Sequence, residues 1–226
     1  MLFRSNMRGA WVDRESNIVH AQGGCLLGDV DRETQVHGLA AVLGFVSLTG
    51  CAGLTLGGGF GYLTRRYGWT SDTVLGMDVV SADGKLVRAS SEENADLFWG
   101  LRGGGGNFGV VTGIDYALHP VGPEIVGGLV AWPASEAPKV LDLYRTLAEE
   151  APPELTLVTL MRPAPPAPWL PQDMHGKPIV AMLACYSGDP EKGEKAVAPI
   201  KTFGNPIGDV LVRRPYAQLQ AMLDPT

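Results

Sequence analysis

Cysteine is scarce in this sequence: Cys25, Cys51 and Cys185 lie far apart, the count is odd, and no Cys-x-x-Cys occurs. A disulfide framework and a cysteine-based zinc site are thereby excluded as organising devices. Histidine is almost as sparse. His20, His37, His119 and His175 show no metal-ligand spacing, so no metal is expected. A basic surplus is missing too. With 18 Lys and Arg against 24 Asp and Glu, the formal charge is −6. The pairs Arg65-Arg66 and Arg213-Arg214 are too short to replace phosphate counterions, so nucleic acid is not expected as a partner. The opening Met1-Leu2-Phe3 runs at once into Arg4, Ser5 and Asn6, which is not a secretory signal, and a cytoplasmic location is expected.

One stretch lacks charge altogether. Residues 38–63 carry no Asp, Glu, Lys, Arg or His and are long enough to span a bilayer. Gly44, Gly50, Gly53 and the run Gly57-Gly58-Gly59 interrupt it, with Ser47, Thr49 and Thr55 between. A glycine-rich ligand loop accounts for that pattern better than a membrane span.

What is present is a chain of 226 residues, 45% of them hydrophobic, enough for one large core or two small ones. Its 30 glycines are clustered, which separates them from a disorder signature. Asn17 to Gln22 reads as a short strand and Asp29 to Val36 as a short helix closed by Gly38. Val74 to Ser81, Asp83-Gly84 and Lys85 to Ala89 read as a hairpin with a type I′ turn. Asn94 is expected to cap a helix that runs to Arg102, with Leu97, Phe98 and Leu101 on one face and Gly103 at its end. Phe108 to Leu118 reads as a strand.

His119-Pro120-Val121-Gly122-Pro123 breaks any element and marks a boundary. Beyond it the pattern is strand (125–132), helix (133–150), strands (155–161 and 179–186), helix (190–203) and a strand near 209–212. The first of these helices carries Val140, Leu143, Tyr144 and Leu147 on one stripe. The order predicts an α+β layer, an antiparallel sheet with helices on one face. Val79, Leu86, Val110, Val111 and Ile114 are expected in the first core, and Leu143, Leu147, Val158, Val180 and Met182 in the second.

Gly104 to Gly109 formally matches G-x-G-x-x-G, but a helix leads into it and a strand leaves. A dinucleotide fold needs the reverse, so that pyrophosphate meets a helix N-terminus. P-loop, nucleophile-elbow and His-Glu-x-x-His motifs are also missing. Glycine lets backbone amides approach a ligand without a Cβ in the way, and two glycine segments suit a large, flat, phosphate-bearing ligand. Tight packing turns account for the same composition equally well. Tyr62, Tyr67 and Trp69 suit either a pocket or a core. No residue can be named catalytic from its chemistry.

The segment from Val46 through the Gly57 to Gly61 run to Arg65-Arg66-Tyr67-Gly68, then Asp72, Val79 to Gly84, and Asp96-Leu-Phe-Trp-Gly-Leu-Arg to Thr112 closely resembles the vanillyl-alcohol-oxidase and p-cresol-methylhydroxylase (PCMH) type of flavoprotein. Within that family it is similar to the berberine-bridge-enzyme-like FAD-linked oxidases. The resemblance is dense from about Met7 to Pro123 and weaker beyond. It implies an α+β chain: residues 1–119 as the second subdomain of a PCMH-type FAD-binding domain, and 120–226 as part of an α+β substrate-binding domain. It implies FAD contacts at Thr49, Gly50, Gly53, Leu54, Gly57, Gly58 and Gly59 along the flavin ring and pyrophosphate. It also implies backbone contacts at Gly109, Val110 and Val111 near the adenosine end. The activity implied is oxidation of a small-molecule alcohol, amine or sugar carbon by hydride transfer to FAD, with dioxygen as acceptor.

Family members open with a further flavin subdomain that often carries a covalently attached His, and this chain is expected to start just after it. By the same resemblance Val46 stands where some members have a second, Cys anchor. Covalent FAD is therefore not expected, and self-association through the open flavin-side surface is. The rival reading is a non-catalytic remnant that keeps part of the fold.

Overall fold

A computed structural model describes residues 6–224, which form two compact units, one of residues 6–123 with 220–224 and one of residues 124–219. In the first unit, strands β1 (Ala10–Asp13) and β2 (Ile18–Gln22) form a hairpin, followed by helix α1 (Leu27–Gln35), β3 (Leu39–Ala40), and short helices α2 (Cys51–Leu56) and α3 (Thr64–Tyr67). Next come β4 (Val74–Val80), β5 (Leu86–Ser90), α4 (Ala95–Leu101), β6 (Val110–Ala117) and β7 (His119–Pro120). Five strands make one antiparallel sheet in the order β1-β2-β6-β4-β5, and β3 pairs with β7 separately.

Alternation decides which face of that sheet is inside. Val19, Ala21, Met77, Val79, Val111, Ile114 and Tyr116 point into a core closed by Leu27 and Val30 of α1, Leu56 of α2, and Phe98 and Leu101 of α4. The opposite face carries polar groups, among them His20, which meets Asp115 at 2.5 Å, and Arg88, which bridges Asp115 and Asp78.

The second unit holds β8 (Glu124–Pro133), α5 (Ala137–Glu150), β9 (Leu155–Pro163), β10 (Pro178–Tyr186), α6 (Pro190–Lys201), β11 (Gly208–Asp209), β12 (Val212–Pro215) and most of α7 (Tyr216–Gln220). Its antiparallel sheet runs β11-β8-β10-β9, with β12 also on β8. Val126, Val130 and Trp132 of β8 and Val180, Met182 and Ala184 of β10 form one apolar face. Val140 of α5 and Val197 and Ile200 of α6 close it, so helices cover one face as expected. Asp189 caps α6 by accepting from the amides of Glu191 and Lys192.

Several local expectations need correction. The β4–β5 turn is not type I′, which would need positive φ at both central residues. Only Gly84 is left-handed, at φ +78°, with Gly84 N bonded to Ser81 O and Ser81 N to Lys85 O. This is a type I turn followed by a glycine bulge. Asn94 does not cap α4. Its backbone is left-handed and its side-chain amide donates to Arg88 O. Phe108 ends a 3-10 turn (Gly105–Phe108) ahead of β6. Leu86 and Val110 lie outside the core, 69% and 46% exposed, because the inward sets are Val87 and Ala89 on β5 and Val111 on β6. Val158 is half-buried and outside the second core, whereas Leu143 and Leu147 are half-buried but pack against it as expected.

Candidate functional site

Helix α2 is one and a half turns of Cys51-Ala-Gly-Leu-Thr-Leu, bounded by Gly50 and Gly57. One side is buried. Cys51, Ala52, Thr55 and Leu56 pack on the sheet, and the Thr55 hydroxyl bonds both Cys51 O (2.8 Å) and the Tyr116 hydroxyl (2.7 Å). The other side shows Gly50, Gly53 and Gly57, at helical spacing and exposed. A Cβ placed on Gly50 or Gly53 would meet nothing within 4 Å. The amides of Ala52 and Gly53 belong to the first turn, whose N–H groups have no helical partner, and none bonds them among the described residues. The result is a strip of bare backbone with free donors.

The glycine run after α2 divides by function. Gly58, at φ +98°, also faces open space. Gly59 does not: a Cβ there would lie 2.6 Å from Thr70 Oγ1. At Gly61 it would lie 1.9 Å from Leu43 O. Gly59 and Gly61 are therefore packing glycines, whereas Gly50, Gly53 and Gly58 leave room for something else. Leu54 is half-buried, and Thr49, also half-buried, turns the chain into Gly50 through Thr49 N to Val46 O and Leu27 N to Thr49 O.

The second glycine segment lies beside the first, because α2 contacts the 3-10 turn Gly105–Phe108. It divides in the same way. Gly103 and Gly106 face open space, but a Cβ at Gly104 would strike Gly100 O at 2.3 Å and one at Gly109 would strike Val80 O at 2.6 Å. Val110 points outward, and the Val111 side chain belongs to the core. The structure thus sets the turn that precedes Gly109 beside α2, with Gly59, Gly109 and the Val111 side chain turned to packing.

Aromatic side chains border the run. Phe45 and Phe60 meet edge to face at 5.6 Å, Phe60 and Trp69 at 5.8 Å, and Phe45 and Tyr62 at 4.8 Å. Phe60 and Trp69 are more than half exposed. Tyr62 is core, and Tyr67 stacks on His119 at 3.9 Å.

Cys51, which adjoins the glycine face, is not a nucleophile there. It is fully buried, and that burial pushes its thiol well above the usual range. Cys25 is likewise pushed up, to about 11, and donates to Gly9 O. The group that sequence reasoning missed is Asp31, buried on the core side of α1 and pushed up by burial to about 7 against one hydrogen bond from Gln220. Its signal was the spacing Leu27, Val30, Asp31, Thr34, which puts a carboxylate on the buried stripe. Among the described residues no cluster could hold a metal, and no helix is long and apolar enough to cross a membrane.

The chain is 35% identical over 222 residues to an FAD-linked oxidoreductase of Dictyostelium discoideum, which covers 97% of this chain and 46% of that protein. The crystal structure of 6-hydroxy-D-nicotine oxidase from Arthrobacter nicotinovorans superposes with a TM-score of 0.83 at 28% identity, over 96% of this chain and 46% of the other. A chitooligosaccharide oxidase gives a TM-score of 0.75 at 26% identity, over 96% and 44%. The chain thus spans about half the length of the relatives it matches. Residues 1–90 match the family model described as FAD binding domain, and the chain is similar to FAD-linked oxidoreductases along nearly its whole length.

Proposed function

We propose that this chain forms one wall of the FAD site of an oxidoreductase, with the cofactor lying against the open side of α2. The observation that carries the reading is the bare strip at Gly50, Gly53 and Gly58, where an added Cβ would meet nothing, beside the unbonded first-turn amides of Ala52 and Gly53. A flat, phosphate-bearing cofactor fits such a strip, because it can approach main chain to van der Waals distance and accept from its N–H groups. Thr49, Gly50, Gly53, Leu54, Gly57 and Gly58 would hold it directly, and Gly59 would shape the run from behind. Gly109, Val110 and Val111 would meet the adenosine end through their backbone.

When bound, FAD supplies the hydride acceptor, and this chain's residues bind and orient it. The substrate class is an alcohol, amine or sugar carbon, with dioxygen as the final acceptor. Oxidases named for a hydroxynicotine and for chitooligosaccharides among the similar structures support that range. Residues 124–219 serve as part of the substrate domain. This chain holds the cofactor without a covalent bond, since Cys51 is buried and Val46 has no nucleophile. With the cofactor absent, Leu48, Phe60 and Trp69 leave an apolar surface suited to self-association.

Gly53→Glu tests the site. Position 53 is helical and open, so the new side chain causes no strain yet puts bulk and negative charge on the cofactor face. FAD titration followed by flavin fluorescence should show affinity weakened by at least about tenfold, with the circular dichroism spectrum unchanged. Wild-type affinity in the variant, or no FAD binding by the parent chain, would sink the assignment and favour the remnant reading.

A further inference from the structure

Ser47 lies three residues before Gly50, in the loop that delivers the chain into α2. Both of its donors converge on one carboxylate from far along the sequence. Ser47 Oγ donates to Asp224 Oδ2 at 2.5 Å and Ser47 N to Asp224 Oδ1 at 2.8 Å. The same amide also reaches Gln220 O at 3.1 Å. Gln220 is in turn fixed to α1: it is fully buried, and its Nε2 donates to Asp31 Oδ2 at 3.1 Å. On its other side the loop is held by Gly28 N to Ser47 O and Leu27 N to Thr49 O, both 2.9 Å. A Cβ on Gly28 would come within 3.3 Å of Ser47 Cβ, so little slack remains there.

We propose that Gln220 and Asp224 are positioning residues for the FAD site, clamping Ser47 and so setting the path of Val46–Thr49 into the glycine face. The loop has no regular structure of its own beyond a single turn, Thr49 N to Val46 O. Its shape must therefore come from bonds to other segments, and the two-point bond to Asp224 is charge-assisted, the stronger kind. Gln220 supplies the second fixed point, because a buried amide bound to α1 cannot slide without breaking its own bond. The inference rests on the FAD reading for what the loop faces. The clamp itself does not.

The test uses the 226-residue chain with Asp224→Ala and, separately, Ser47→Ala. Hydrogen–deuterium exchange is followed in peptides covering 45–50 and, as internal control, in β4 and β6. FAD titration is run in parallel. Loss of a charge-assisted bond should speed exchange in 45–50 by about tenfold or more in Asp224→Ala, with β4 and β6 unchanged, and weaken FAD by a comparable factor. Ser47→Ala removes the hydroxyl arm alone and should give a smaller effect in the same direction. It also serves if Asp224→Ala does not fold. Asp224→Asn keeps an acceptor and should recover part of the protection. Unchanged exchange at 45–50 overturns the clamp. A loosened loop with wild-type FAD affinity overturns its positioning role. In that case Gly53→Glu separates the two ideas: FAD lost in Gly53→Glu leaves the flavin site standing without the clamp, and FAD kept removes the flavin site as well.

Discussion

Asp31 is a carboxyl buried in the first unit with a neutral amide as its side-chain partner. Gln220 Nε2 takes Oδ2, which leaves Asp31 Oδ1 and Gln220 Oε1 both buried and without a bonded partner. A proton on Asp31 can be shared between those two oxygens, completing an acid–amide pair, and an ionised Asp31 cannot donate it. Burial raises the carboxyl from an ordinary 3.8 to about 7 accordingly. Among the described residues no cation pairs with Asp31, and Arg8 and Arg32 are engaged by Asp29 instead. Since the folded value is raised, the stabilisation is fully present below the unfolded value and is lost as pH climbs to about 7. The loss across that window is at most about 4 kcal/mol. Wild-type urea midpoints should therefore fall between pH 5 and pH 8 more steeply than those of Asp31→Asn, whose amide needs no proton. Parallel curves for the two proteins would contradict the neutral pair.

At the scale of elements, α2 and the run behind it show two uses of one residue type. Gly53→Ala adds a methyl in open space on a helix and should raise fold stability by up to about 1 kcal/mol. Gly61→Ala drives a Cβ to 1.9 Å from Leu43 O and should cost roughly 3 kcal/mol, since backbone must move. Denaturant midpoints of the two variants with the same sign would show that the partition is wrong. The sequence revealed the cluster but not the partition, because what faces Gly61 is Leu43, eighteen positions earlier, and what faces Gly59 is Thr70. Strands and helices were legible wherever spacing was regular, as in α5 with Val140, Leu143 and Leu147. Legibility failed where pattern was degenerate. Val110-Val111 has no alternation to say which residue turns inward, and only pairing with Val80 and Val79 decides it. Asn94 looked like a cap because local chemistry allows it, yet its backbone is left-handed and the Arg88 carbonyl in β5 takes its side chain. Asp31 went unremarked although its place on the apolar stripe of α1 marks a misplaced charge, and its partner Gln220, 189 positions away, leaves no local signal at all.

At the scale of the molecule, the first unit is discontinuous: residues 220–224 complete it after the second unit has intervened. Removing residues 220–226 should therefore destabilise the first unit and leave the second untouched. Calorimetry should show two transitions in the intact chain, with only one lowered by the truncation. If both fell together, or neither did, the division of the chain would be wrong. The same discontinuity imposes an order on synthesis. Ser47 leaves the ribosome long before Asp224, its partner 177 positions on. At ordinary elongation rates that gap is on the order of 10–35 s. For that interval a growing polypeptide carries a glycine face whose shaping partners do not yet exist, so on the FAD reading cofactor capture waits until residue 224 has been made.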